Sequence, residues 1–216
     1  MSKVYISKFA YRETLEYLLS KGHQVVLQEP SPFVYDGISC HPDIFMCHLG
    51  EKVFHGEPSR LRANYPADVI YCGASTGKYF IHKIKDTDPD LMAAVKALGQ
   101  KIINVNQGYS KCNMLVVNPD TIVTSDAGIV RSCKAQAPEL NVIQISEGHI
   151  LLPGLDKGFI GGTCGLVDDE IIFNGDISMH PDFQLIKDTI LSSGKALRYF
   201  EGLPLQDIGS IIQENK

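Results

Sequence analysis

Apolar runs of three or four residues recur along the chain in pairs, and between the two runs of a pair the apolar positions fall at helical spacing. The pairs are Lys3–Ile6 with Gln24–Leu27, Lys52–Phe54 with Asp68–Tyr71, Tyr79–Ile81 with Lys101–Ile103, Thr121–Val123 with Val142–Ile145, and Ile171–Phe173 with Ala196–Tyr199. Tyr11, Leu15, Leu18 and Leu19 stand at i, i+4, i+7 and i+8, the single apolar stripe of a helix laid on a sheet. Leu91, Met92, Val95 and Leu98 predict a second helix. Asp88-Pro89-Asp90 supplies its cap, its proline at the first helical position and an acid in its first turn, and Gly99 closes it. His180-Pro181-Asp182 before Phe183, Ile186 and Ile190, with Gly194 after them, predicts a third. Shorter helical segments are expected at Glu57–Asn64 and Ile129–Gln136.

Further strands are predicted between the pairs, at Asp43–Met46, Met114–Val117, Cys164–Val167 and Ile208–Ile212, with a tight turn at Gly73–Gly77. A strand that returns through a helix to a parallel neighbour crosses over right-handed, and a hairpin then adds an antiparallel strand. The predicted fold class is α/β, with five strand-helix-strand units in one domain over residues 1–216. Each unit alone is too small to bury its apolar face and must stack on its neighbours. Pairing of Ile208–Ile212 with Val4–Ile6 would close the arrangement and remove free sheet edges.

Composition narrows the function classes. The chain has 216 residues, 44% hydrophobic and 21% charged, which is ordinary for a globular protein. No run approaches the roughly 18 apolar residues of a membrane span. The opening MSKVYISKFAYRETLEY lacks the apolar core and small-residue cleavage site of a secretory signal, so a cytoplasmic protein with no membrane partner is expected. A net charge of -5 with lysines and arginines scattered singly offers no basic stripe to nucleic acid. Six cysteines without a CxxC pair read as free thiols in a reducing compartment. The partners this leaves are a small-molecule ligand and, as a homo-oligomer, further copies of the chain.

The five units with hairpin inner strands resemble, together with several local phrases, the pentein fold of the guanidino-group-modifying enzymes. The phrases are Asp36-Gly37 ahead of His41, the run from Lys111 to Asn118, Gly161-Gly162-Thr163 and Glu201-Gly202-Leu203. That superfamily contains arginine deiminase, dimethylargininase and amidinotransferases; the chain also resembles an uncharacterised bacterial family assigned to the same fold. The resemblance implies an α/β propeller with pseudo-fivefold symmetry and a central site. There a cysteine thiolate attacks a guanidino or amidino carbon, a histidine moves protons and carboxylates hold the cation. The chain departs from that pattern twice. Glu201–Ser210 contains no cysteine where those enzymes carry their nucleophile, and Thr163 stands where they commonly place a substrate-binding aspartate.

Cys40-His41, Cys112-Asn113 and Cys164-Gly165 each fall at or just before the start of an inner strand, so a radial fold directs three thiols and an imidazole toward one axis. Three readings stay open. In the first, with no cofactor, Cys164 is the nucleophile of a hydrolase. The glycines around it permit close backbone approach and amide donors for an oxyanion. His41 or His149 is then its base, and Asp43, Asn113, Thr163 and Asp207 face the substrate. In the second, Cys40, His41, Cys112 and Cys164 hold Zn or Fe. In the third, the cysteines are packing residues in crowded strand starts and the protein binds or assembles without catalysis. The Gly73–Lys78 segment has neither the spacing nor the Ser/Thr after Lys of a phosphate loop and reads as a hairpin turn. His180 reads as part of a helix start.

Overall fold

A computed structural model describes residues 2–50 and 52–215; Met1, Glu51 and Lys216 lie outside them. The described residues form six α-helices and fourteen strands in five small sheets. In chain order the first elements are β1 (Lys3–Ser7), α1 (Arg12–Ser20), β2 (Gln24–Gln28), α2 (Pro42–Phe45), β3 (Met46–His48), β4 (Val53–His55) and β5 (Ala74–Ser75). The middle of the chain gives β6 (Tyr79–His82), α3 (Pro89–Ala97), β7 (Lys101–Asn104), α4 (Ser110–Asn113), β8 (Met114–Asn118), β9 (Thr121–Thr124), α5 (Ala127–Gln136) and β10 (Asn141–Gln144). The last elements are β11 (Cys164–Val167), β12 (Glu170–Phe173), α6 (Phe183–Ser192), β13 (Ala196–Arg198) and β14 (Ile212–Glu214).

Four predicted crossovers are present as parallel pairs, β1 with β2, β6 with β7, β9 with β10 and β12 with β13. Local signals account for them. The Asp88 side chain accepts the backbone N–H groups of Asp90 and Leu91 and so caps α3, a contact that contributes about 1 kcal/mol. Leu91 and Val95 face inward from that helix, and Leu18 does so from α1, whereas Leu19 points to solvent. An inner strand then runs antiparallel to the first strand of each crossover: β5 to β6, β8 to β9, β11 to β12, and β14 to β1.

Each hydrophobic cluster spans two neighbouring sheets. Ile171 and Phe173 of β12 pack with Ile186 and Ile190 of α6 and with Leu115 and Val117 of β8. Ile172, on the opposite face of the same strand, packs with Val4, Ile6 and Leu18 of the first unit. Ile81 and Ile103 likewise meet Met114, Ile122 and Ile129 of the next unit. Burial of each such side chain contributes about 1.5–3 kcal/mol, and much of it exists only because the units stack. Inner strands follow one another in space as in sequence, β3 beside β5, β5 beside β8, β8 beside β11 and β11 beside β14. A cavity of about 340 Å³ takes lining from all five, through His48, Ser75, Leu115, Cys164 and Ile212.

The second unit departs from expectation. Asp68–Tyr71 is no strand, and β3 pairs with β4 alone. The Tyr71 ring lies over Gly56 and its hydroxyl accepts the Glu57 N–H, so tertiary packing fixes this segment in place of a ladder. The helix expected at Glu57–Asn64 is reduced to one 3-10 turn, Pro58–Arg60, because Leu61 is its only buried apolar position and no stripe exists to hold it. The strand expected from Asp43 starts at Met46, since Pro42 opens a single helical turn over Pro42–Phe45. The last strand begins at Ile212 rather than Ile208, because Gly209 and Ser210 have φ of 69° and 73° and cannot lie in a ladder. It pairs with β1 as expected, Lys3 opposite Glu214. Gly73–Gly77 is part strand, as it contains β5. Among the described residues no helix is long and apolar enough to cross a membrane.

Candidate functional site

Two short helical turns and one left-handed loop bring the chemistry together. His41 is the N-cap of α2, Pro42 its first residue and Asp43 the acid of its only turn. Cys112 lies in α4, the turn that feeds β8. The loop before β14 carries Asp207, Gly209 and Ser210. It is fastened to α2 by the Asp43 N–H, which donates to the Gly209 carbonyl at 3.1 Å.

A nitrogen of His41, a carboxylate oxygen of Asp43 and Sγ of Cys112 all lie within 4.8 Å of one another, and all three residues are buried. The Cys112 thiol donates to Asp43 Oδ2 at 3.0 Å and lies 3.6 Å from the Cys72 sulfur. Ser210 Oγ is 2.8 Å from both Asp43 Oδ2 and the Gly161 carbonyl, so its one proton goes to one of them. Lys111 Nζ donates to Ser210 Oγ at 2.9 Å and to the Gly161 carbonyl at 3.1 Å. Asp207 completes the group. Its Oδ1 accepts the Gly209 N–H at 3.0 Å and its Oδ2 accepts the Phe159 N–H at 2.9 Å. A side chain at Gly162 would collide with that carboxylate, which explains the glycine there. Among the described residues His41 Nδ1 and Asp43 Oδ1 have no hydrogen-bond partner.

Burial sets the electrostatics. It pushes the Asp207 carboxyl up to about 6, against the pull of the Gly209 and Phe159 N–H groups. It pushes Asp43 up as well, opposed by His41 and Lys111, and lowers His41 with Asp43 opposing. The neighbouring Cys72 thiol and burial hold Cys112 well above the usual thiol range. His41 is therefore neutral at pH 7, and its 3.9 Å approach to Asp207 is a contact of an imidazole with a carboxyl group, not an ion pair.

A cavity of about 580 Å³ opens beside this group, with His41 and Asp207 in its wall together with Phe9, Tyr35, Asp36 and Leu155. No described lysine or arginine lines it. Tyr35 is positioned from behind, its hydroxyl 3.3 Å from that of Tyr109, which in turn donates to Asp68.

The structure gathers His41, Asp43 and Asp207 from the expected site and leaves the expected nucleophile out. Cys164 opens β11 in the wall of the smaller cavity, and its thiol donates to the Ile160 carbonyl at 3.4 Å. Burial pushes that thiol up to about 11, the reverse of activation. His149 is exposed, with its ring 5.9 Å from that of His180. Thr163 Oγ1 donates to the Ile160 carbonyl and Asn113 Nδ2 to the Tyr109 carbonyl, so both close their own turns. Of the four expected metal ligands only His41 and Cys112 meet, and Asp43 joins them; Cys40 lies in the wall of the larger cavity and Cys164 in that of the smaller. His180 Nδ1 accepts the Asp182 N–H, and α6 begins only at Phe183. The sequence assigns no role to Ser210 or to Lys111, which only opens one of the resemblance phrases; the signals available are a lysine adjacent to Cys112 and a Gly-Ser pair after Asp207.

A family model described as a family of unknown function (DUF6873) matches residues 52–212, a span that holds Lys111, Cys112, Asp207 and Ser210 and follows His41 and Asp43. No curated protein and no solved structure matches the chain. By that match over well more than half its length, the chain belongs to the DUF6873 family.

Proposed function

We propose that the five sheets form a pentein-like propeller with pseudo-fivefold symmetry, and that the larger cavity binds a small organic cation of the guanidino or amidino class. The repeated inner-strand hairpin and parallel crossover, the succession of inner strands in space and the cavity they share support the propeller. One observation carries the ligand class: the larger cavity is walled by two carboxylates, Asp36 and Asp207, and two rings, Phe9 and Tyr35, without a described cation. Its volume of about 580 Å³ is that of a small-molecule site. A planar cation donates bidentate hydrogen bonds to a carboxylate and stacks on an aromatic face, the latter worth about 0.5–2 kcal/mol. Binding without turnover is what these groups support. Hydrolysis through Cys164 forms no part of the reading, because that thiol lies in the other cavity and stays protonated.

Calorimetric titration with agmatine, arginine and benzamidine, against neutral and anionic analogues, tests the reading. Saturable binding of at least one cation is expected, weakened by about tenfold or more in Asp36→Asn and in Asp207→Asn, a loss near 1.4 kcal/mol. Equal affinity for the neutral analogues, or no binding by any cation, would refute it.

A further inference from the structure

We infer that His41, Asp43 and Cys112 form a zinc site in the buried group beside the larger cavity. The inference stands on a different observation from the cavity reading. His41 Nδ1 and Asp43 Oδ1 are unpartnered in residues only 5% and 0% exposed. Leaving a buried polar atom unpaired costs about 1–3 kcal/mol, so two in one cluster point to a ligand that takes them up.

The spacing selects an ion over an organic cation. Cys112 Sγ and Asp43 Oδ2 are 3.0 Å apart, which leaves no room for a guanidinium between them. Zinc bonds of about 2.3 Å to sulfur and 2.0 Å to oxygen set two tetrahedral ligands about 3.5 Å apart, and one donor atom from each of His41, Asp43 and Cys112 lies within 4.8 Å of the others. A mixed nitrogen, oxygen and sulfur set suits a borderline ion such as Zn²⁺, whereas Ca²⁺ and Mg²⁺ demand oxygen alone.

Charge balances once the ion is bound. Uptake would displace the proton that Cys112 gives to Asp43, and the two charges of Zn²⁺ would then offset one thiolate and one carboxylate. Ser210 is placed as an orienting group, since its hydroxyl lies 2.8 Å from Asp43 Oδ2 and 2.9 Å from Lys111 Nζ. Three protein donors would leave a fourth position to water, the arrangement of reactive rather than purely structural zinc.

Metal-stripped full-length protein titrated with Zn²⁺, and separately with Co²⁺ as a spectroscopic stand-in, tests the site. One ion per chain is expected, and the cobalt form should show thiolate-to-metal charge transfer in the near ultraviolet. Asp43→Asn and His41→Gln should weaken binding about tenfold or more, and Cys112→Ser should abolish the charge-transfer band. Failure of the wild-type protein to bind either ion, or a cobalt spectrum without sulfur ligation, would overturn the site, and neither result depends on whether a variant folds. A band that survives in folded Cys112→Ser would also overturn it. Binding of guanidino compounds by protein that takes up no metal would sink this inference and leave the cavity reading standing.

Discussion

Gly209 lies so close to His41 that a side-chain carbon at position 209 would overlap the His41 Cα and Cβ. Its φ of 69° is also one that residues with a Cβ adopt at a cost of about 1–2 kcal/mol. The same residue accepts the Asp43 N–H through its carbonyl and gives its own N–H to Asp207, so one glycine sets the spacing of an imidazole and two carboxylates. Gly209→Ala is expected to add overpacking of about 1–3 kcal/mol to the backbone cost. Urea unfolding should show a lower midpoint with the slope preserved; an unchanged midpoint would mean that the contact is not tight.

Much of the fold can be read from the sequence because its helices carry their own signals. Asp88, Pro89, Leu91 and Val95 specify α3 within ten residues, and the strands they join follow by the handedness of the crossover. The second unit resists such a reading, because Asp68–Tyr71 is as apolar as a strand while the contacts that fix Tyr71, on Gly56 and Glu57, come from another part of the chain. Asp43 and Asp207 were legible as acids where apolar strands should start. Which thiol would join them was not. Cys112 lies in the turn before β8 and Cys164 is the first residue of β11, and that small difference in placement sends one sulfur to Asp43 and the other to a carbonyl in its own turn.

Cys164 tests that distinction directly. A thiol pushed up to about 11 holds almost no thiolate at neutral pH. Its alkylation in the folded protein should therefore be far slower than that of a free cysteine with a pKa near 8.5. Cys164→Ala should lose about 1 kcal/mol of stability for the buried sulfur and leave organic-cation affinity unchanged. Rapid modification at Cys164, located by peptide mass mapping, would restore it as a nucleophile.

His82 gives the fold a defined sensitivity to acid. Its Nε2 donates to the Gly108 carbonyl at 3.0 Å and its Nδ1 accepts from Thr87 Oγ1 at 2.7 Å, which fixes a neutral tautomer. Burial lowers the imidazole to about 4, from an ordinary value near 6.5. The folded state thus binds fewer protons than the unfolded one. The stability that His82 contributes is complete above pH 6.5 and is lost as pH falls toward 4, by about 3 kcal/mol. Asp207 titrates in the opposite sense, since a carboxyl raised to about 6 favours the fold below its unfolded value and loses that contribution as pH rises through 6. The comparison of wild type with His82→Gln isolates the histidine. Their stability difference should shrink on acidification from pH 7 to 4, and a constant difference would contradict a buried neutral imidazole.

The sheet that joins the two ends of the chain rests on a strand three residues long. β14 pairs with β1, and Glu214 accepts hydrogen bonds from Tyr5 of β1 at 2.8 Å and His55 of β4 at 2.9 Å. Glu214 is partly exposed, so those contacts stabilise by less than about 1 kcal/mol each. Ile211 and Ile212, both 2% exposed, matter more, at about 1.5–3 kcal/mol apiece. Ending the chain after Ser210 removes both together with the ladder to β1, a loss comparable to the whole stability of about 5–15 kcal/mol that such a protein has. The truncated chain is expected to lose near-ultraviolet circular dichroism and cooperative unfolding. Ligand and metal uptake should go with them, because Asp207, Gly209 and Ser210 lie on the loop that β14 anchors. A truncated protein that still melts cooperatively would show that β14 lies outside the cooperative unit, and that the site loop is held by its own bonds, to Asp43, Phe159, Gly162 and Lys111 among others.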